Sequence, residues 1–565
     1  MGKEAPAPPA ILTPAESPED TTGPIAPVRR EDASALVRST AIMSIGTALS
    51  RLTGFLRVGA MAFALGVAET RLADAYNVAN NLPNIVYELV LGGILSSVFV
   101  PVFVEQLVSR KREDAWHAAR AVMTLAALIL GVIMVLGILA APWIVRLYTF
   151  RVEGPAREAS QELATLFLRF FMPQIVFYGL GAIASGLLNA HRRFGVPMFA
   201  PILNNVVVIV AMLAFAFMTG PETPSPGGIT LGQKLVLAIG TTGGVMAMTM
   251  ALWPSLRRLG FRFRFTLDLR HQAVRRLMRL SGWVAAQVTT NQLALLFVII
   301  LASRVRGGYS AYVASFIFFQ LPHAIVVVSI ITALSPSLAE RWIEGDRENF
   351  RRILVRGIRA SAFIVIPATA GYLVLATPII RLLLEHGVAT GQSTELTSGV
   401  LTFFVLALFP FSAFYLMLRA FYAMQDTRTP MLINVFAVAL NIGTNFLYIQ
   451  AFGVKGLALG YATAYTFAAI AAGAILRRRL GGIEGRALAS GLGRTVLGAA
   501  ITAAGAWGAA KAVTSVVDTT TFVGQVLEVG GGVAAGLLLF IGAALLLRIE
   551  EFALIRRAVA ERLRR

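Results

Sequence analysis

"SIGTALSRLTGFLRVGAMAFALG", residues 44–66, decides the fold. The run is long and apolar enough to cross a bilayer as a helix. Yet Arg51 and Arg57 lie well inside it. In water two arginines on a helix need no explanation. Near the centre of a bilayer each costs about 2.5–3.5 kcal/mol on insertion scales, so such residues face a cavity or a partner. The rest of the chain says which solvent applies. Of 565 residues, 56% are hydrophobic and 14% charged, with a mean hydropathy of +0.71. Soluble domains carry about 25% charged residues. Apolar runs of roughly 20 residues recur from 38 to 548, about fourteen in all, each able to span as a helix. The short alternating segments of a β-barrel are missing. The expectation is an all-α polytopic membrane protein.

The connections give an orientation. "SRKRED", "HRR", "RRLGFRFRFTLDLRHQAVRRLMR", "ERWIEGDRENFRRILVRGIR", "QDTRTP" and "RRRLGGIEGR" follow the even-numbered spans, whereas "GPETPSPGGITLGQ" and "VTSVVDTTTF" connect others. The positive-inside rule places the arginine-rich side, and with it both termini, in the cytoplasm. The net charge of +20 is therefore a topology signal rather than a nucleic-acid surface. Binding of anionic membrane lipids by the basic loops is a second reading.

A repeat is visible in the prolines. "SSVFVPVFVEQL" aligns with "ITALSPSLAERW", "LAAPWIVRL" with "LATPIIRLL", and "LLNAHRRFGVPM" with "AFYAMQDTRTPM". Pro101 and Pro336, Pro142 and Pro378, and Pro197 and Pro430 stand 235, 236 and 233 residues apart. The unit holds six spans, so both copies share one orientation and are related by an axis along the membrane normal. The expected organisation is a disordered tail (1–37), a six-helix repeat (38–256), a basic linker (257–273), a second six-helix repeat (274–476), two additional helices (477–548) and a basic tail (549–565). Two facing halves suit alternating access around a central cavity.

Polar residues inside the spans are the candidate site. In "DAYNVANNLPNIVYE", Asp74, Asn77, Asn81, Asn84 and Glu88 recur every three or four residues, which lays a stripe along one helix face. With Arg51 and Arg57 they read as one wall of a hydrated cavity. The alternative has Arg51 paired with Asp74 or Glu88 as structural glue and Arg57 reaching to the interface. Asn434, Asn441 and Asn445 share a face of span eleven. They are candidates for the second half of the cavity, for a coupling-cation site, or for plain interhelical hydrogen bonds. No cysteine is present, the five histidines are scattered, and no metal site or cofactor is called for. Neither a phosphate-binding loop nor a nucleophile motif is found, so the chain reads as a transporter and not an enzyme.

These residues resemble the MurJ (MviN) family of lipid II flippases. "SRLTGFLR" looks like its S-R-x-x-G-F-x-R signature, "DAYNVANNLPN" its D-A-(F/Y)…P-N element, and "RAFYAMQDTRTP" its R-A-F-Y-A-x-x-D-x-x-T-P. The resemblance covers nearly everything after residue 38. It implies the fold of the multidrug/oligosaccharidyl-lipid/polysaccharide flippase superfamily and a place in the bacterial inner membrane. The implied function is movement of lipid II, the undecaprenyl-diphosphate-linked muropeptide of peptidoglycan synthesis, from the inner to the outer leaflet. It implies that Arg51 and Arg57 engage the diphosphate, that Asp74 is a functional cavity residue, and that cell-wall synthesis proteins are further partners. The chain departs from the pattern at Tyr87, Gly92 and Ile317, where many members are charged. An exporter of another polyprenyl-linked saccharide or of drugs is the competing function.

Overall fold

The computed structural model describes residues 30–88, 112–154, 156–191, 193–221, 225–268, 289–482, 485–553 and 556. Among these every regular element is helical. The first half comprises α1 (Arg30–Leu65), α2 (Leu72–Glu88), α3 (Arg112–Tyr148), α4 (Ala156–Phe171), α5 (Gln174–Ala190), α6 (Gly195–Thr219) and α7 (Leu231–Arg258). The second comprises α8 (Thr289–Ala302), α9 (Gly308–Pro322), α10 (Val328–Ile343), α11 (Arg347–Leu384), α12 (Gly391–Phe404), α13 (Leu408–Ala423), α14 (Arg428–Phe452) and α15 (Lys455–Arg479). The additional pair is α16 (Gly485–Val516) and α17 (Phe522–Leu546). Twelve stretches among the described residues are long and apolar enough to cross a membrane, and α8 is a shorter apolar helix. With α2, they make up the fourteen read from the sequence. The fold is that of an all-α, multi-span membrane protein.

Helix α1 begins at Arg30 rather than near residue 38, carried back by helix formers such as Ala33, Ala35 and Leu36. The calls on residues 1–29, 89–111, 269–288 (the end of the basic linker and the start of the second repeat) and 557–565 lie outside the described residues.

Three spans that read as continuous are broken, each at a proline. Span four breaks at Pro173, between α4 and α5. Span ten carries a 3₁₀ turn (Val405–Ala407) just ahead of Pro410. Span eight continues from Pro322 through a π-helical turn, His323–Val327, into α10. A proline has no N–H to give to the carbonyl four residues back. At Pro322 that carbonyl belongs to Phe318, and the Tyr372 hydroxyl of α11 donates to it at 3.2 Å. The break is thus satisfied by a neighbouring helix, as a low-dielectric surrounding demands.

Each half has its own core. Phe167, Phe171, Met212 and Phe215 centre one in the first half. Phe319, Phe404, Phe421 and Leu457 centre the core of the second. Helix α11 also carries the additional pair, packing against both α16 and α17.

Candidate functional site

The halves meet at one end of the bundle, where α1 turns into α2. Asp74, in the first turn of α2, is 6% exposed. Its Oδ2 accepts from Gly307 N at 2.8 Å, and its Oδ1 accepts from Ser310 N at 3.0 Å and Ser310 Oγ at 2.8 Å. Asp74 therefore occupies the N-terminus of α9, where the helix leaves backbone N–H groups unpaired and favours a negative charge. Asn77 follows one turn on and donates from Nδ2 to Ser310 Oγ at 3.0 Å. The approach is close enough to require glycine. Gly307 has φ +72°, and a Cβ there would sit 2.3 Å from the Val67 carbonyl oxygen.

Glu69, in the short loop before α2, fastens the same end to α12. Its Oε1 accepts from Thr390 N at 2.7 Å and from Thr390 Oγ1 at 2.8 Å, while Ser393 Oγ lies within 2.8 Å of both carboxylate oxygens. Burial raises the carboxyl's affinity for its proton, but the bonds from Ser393 and Thr390 outweigh it and hold Glu69 below the usual carboxylate range. Arg71 Nη1 donates to Ser303 O at 3.0 Å, and Val388 N donates to Phe63 O at 3.1 Å. Segment 63–77 of the first half is thus tied to 303–310 and 387–393 of the second.

The polar stripe does more than one job. Its first two turns, Asp74 and Asn77, form this seam. Asn84 accepts from the Tyr178 hydroxyl of α5 at 3.3 Å and donates to Asn80 O at 2.9 Å. Asn81 is 9% exposed and its Nδ2 has no partner among the described residues. The side chains of Tyr87 and Glu88 lie outside the described residues, as does Gly92. Asp74 is engaged by the start of α9 in this structure, and Arg51 makes no ion pair with it.

Arg51 is exposed and Arg57 half-buried on α1. Neither guanidinium makes a hydrogen bond, ion pair or ring contact among the described residues. Helix α1 is held by α6: Asn205 Nδ2 donates to Thr53 Oγ1 at 3.0 Å and Ser50 O at 3.3 Å, opposite Gly54. Both arginines are thus presented on a fixed helix with their donors free.

An apolar groove of ≈ 650 Å³ meets α1 at Phe55. Its inner end is Phe55 of α1, one turn from Arg51, edge-on to Phe318 of α9 with ring centroids 4.9 Å apart. Its walls are α11 (Pro367, Leu375) and the additional helices (Ala506, Gly536). Gly532 and Gly536 let α17 approach α16 closely, since a Cβ at Gly532 would reach 3.2 Å from Ala506 O. Helix α1 accordingly offers Arg51, one turn before the groove residue Phe55, and Arg57 on another face of the same helix.

In the second half, Asn434 Nδ2 donates to Asn291 Oδ1 of α8 at 3.1 Å. Asn441 and Asn445 are buried, and Asn445 Nδ2 donates to Asn441 Oδ1 at 3.2 Å. Asn441 Nδ2 and Asn445 Oδ1 have no partner among the described residues. Ile317 is a half-buried member of the second core.

The sequence reading missed Glu69, Gly307 and Tyr372. Glu69 stood in "GVAETR", a six-residue interruption between spans, and Gly307 in "RVRGGYS". An acidic residue in so short a turn was the available signal. Tyr372 carried none.

Comparison with known proteins fits this arrangement. The profile of a family described as lipid II flippase MurJ matches residues 61–527, a range that begins just after Arg51 and Arg57. "Probable lipid II flippase MurJ" of Rhizobium meliloti is 28% identical over 424 residues, covering 75% of this chain and 77% of that one. "Lipid II flippase MurJ" of Burkholderia cenocepacia is 28% identical over 432 residues, covering 75% and 80%. Among solved structures, "Lipid II flippase MurJ, inward closed conformation" superposes with a TM-score of 0.72 at 22% identity, covering 90% of this chain and 99% of that one. An inward-facing multidrug resistance MATE family transporter of the MOP superfamily gives a TM-score of 0.64 at 14% identity, covering 80% and 99%. At these identities the two structures speak for the fold alone.

Proposed function

The chain belongs to the lipid II flippase MurJ family, and from that premise we propose that it moves lipid II from the inner to the outer leaflet by alternating access. The observation that carries this reading is the pair of unpartnered guanidiniums on α1, a helix that also lends Phe55 to the wall of an apolar groove. An amphiphile with a diphosphate head and a polyprenyl chain matches both features. Arginine forks suit phosphate oxygens, and the contact strengthens where water is excluded. Phe55, between Arg51 and the groove, is where head and chain would part.

The remaining roles follow from orientation. With both termini in the cytoplasm of the bacterial inner membrane, the seam at Glu69, Asp74 and Gly307 lies on the outer side. The molecule is then closed outward and receives substrate from the cytoplasmic side. Asp74 and Asn77 act as the tie that must break for the outward-open state, while Asn81, Asn84 and Glu88 line the path below. The free Asn441 and Asn445 atoms are candidates for a coupling cation, with Asn434 bridging to α8. The two six-helix repeats (38–256 and 274–476) are the moving bodies, joined by the basic linker 257–273, and 477–548 forms the groove wall. Cell-wall synthesis proteins are the expected partners.

The test is complementation in cells depleted of their own flippase, with lipid II at the outer face as the readout and membrane levels matched. Wild type is expected to rescue, and Arg51→Ala and Arg57→Ala to fail. Failure of properly inserted wild type would point to another polyprenyl-linked saccharide or a drug as cargo.

A further inference from the structure

The groove is covered at the end where α17 finishes. The chain leaves α17 at Leu546 and turns at Arg548, whose φ is +51°. This left-handed residue closes the end of α17, with Ile549 N donating to Ala544 O at 2.9 Å and Arg548 N to Leu545 O at 3.3 Å. Arg494 of α16 donates from Nη1 to the Arg548 carbonyl at 3.3 Å. The segment that follows, 549–553, begins a further helical turn. Ile549 is 2% exposed and joins Phe363 of α11 and Phe540 of α17 in a small apolar cluster. The Phe552 ring lies 6.4 Å from that of Phe363 and is itself part of the groove's wall.

An ion pair fastens this segment to α11. Arg359 donates from Nη2 to Glu550 Oε2 at 2.8 Å, and its Nε lies 2.6 Å from Glu551 Oε1. Glu550 is 68% exposed, so its contact contributes little. Arg359 and Glu551 are 15% and 12% exposed; theirs is a shielded charge contact without hydrogen-bond alignment, since Nε has no hydrogen-bond partner among the described residues. The guanidinium has a built place: at Gly491 of α16, a Cβ would come within 2.9 Å of Arg359 Nε.

The segment is therefore held by one shielded ion pair and a few apolar side chains. So few attachments suit a part with two positions, since loss of the pair leaves only the apolar contacts to hold it. It also lies where it matters. A lipid whose head crosses the membrane must swing its chain end over end, and the chain needs the ends of its groove free. We propose that residues 549–553 are a strap that closes this end of the groove against a polyprenyl chain, with Arg359–Glu551 as its latch. The proposal rests on the reading of the groove as the chain's site.

The natural chain has no cysteine, which permits a clean experiment. Arg359→Cys and Glu551→Cys are joined by a short, reducible thiol crosslinker in the otherwise intact protein in proteoliposomes. The probe is a polyprenyl diphosphate bearing a benzophenone on its chain, and labelling of the α17 stretch around Gly536 is read by mass spectrometry. Crosslinked protein is expected to label several-fold less than the same sample after reduction, so folding cancels from the comparison. Arg359→Gln, without crosslinker, is expected to label several-fold more than wild type, and Arg359→Lys to stay near it. Equal labelling before and after reduction overturns the strap while leaving the groove assignment intact. No labelling in any state overturns both.

Discussion

Replacing Asp74 by Asn tests the seam between the halves. The carboxylate receives three donors from the start of α9. An asparagine keeps one acceptor for Ser310 but turns an NH₂ group toward the Gly307 N–H, so one charge-assisted bond becomes a donor–donor contact. Hydrogen bonds to charged groups contribute about 1.5–3 kcal/mol each. One is lost and two are weakened, so the closed seam loses about 2–4 kcal/mol. At 1.4 kcal/mol per decade, the closed-to-open ratio falls roughly thirty- to several-hundred-fold. Such a shift turns a minor outward-open population into a major one. Thr70→Cys and Gln392→Cys place spin labels on opposite sides of the seam, in the loop before α2 and in the first turn of α12. Pulsed EPR is expected to give one short distance in the parent and a second, longer distance after Asp74→Asn. An unchanged distribution, with the substitution present and the protein folded, would refute the assignment of Asp74 as the tie.

Glu69 gives the seam a pH dependence. Its carboxyl is held below the ordinary 4.5, so its contribution is complete above the unfolded value and is lost as pH falls through the lower folded one. The same EPR distance should lengthen below about pH 4.5, and Glu69→Gln should remove that step while already weakening the seam at pH 7. Gly307→Ala should open the seam as well, because its Cβ would meet the Val67 carbonyl at 2.3 Å in a left-handed backbone. Outer-side thiol labelling of Gln392→Cys in whole cells is the check, with a rise expected. Tyr372→Phe leaves the Phe318 carbonyl without its hydroxyl donor beside the groove, at a cost of about 1–3 kcal/mol. A lower thermal midpoint in detergent is expected, and an unchanged midpoint would mean that water replaces the hydroxyl.

Much of the architecture was legible because lipid permits so few spanning structures. Apolar runs gave the helices, and a polytopic all-α fold followed from them. The breaks at Pro173, Pro322 and Pro410 were less legible. Whether a proline interrupts a span depends on who satisfies the freed carbonyl, and Tyr372 lies 54 residues from Phe318. The stripe in α2 was correctly seen as polar, but periodicity says only which residues share a face. That Asp74 and Asn77 meet Ser310, more than 230 residues away, is a tertiary fact. Arg51 and Arg57 were legible for the opposite reason: a charge inside an apolar run stands out by itself. The groove's apolar walls carried no contrast with the lipid-facing residues around them.

The central claim is that the α1 arginines hold a lipid-linked diphosphate while the protein moves it. Reconstituted proteoliposomes test this directly, with fluorescent lipid II in both leaflets and a membrane-impermeant quencher or hydrolase outside. Wild type is expected to make the inner pool accessible, with competition by undecaprenyl diphosphate. Arg51→Ala and Arg57→Ala are expected to abolish transfer while leaving the EPR distance across the seam unchanged. Transfer by both alanine variants at the wild-type rate would contradict the account.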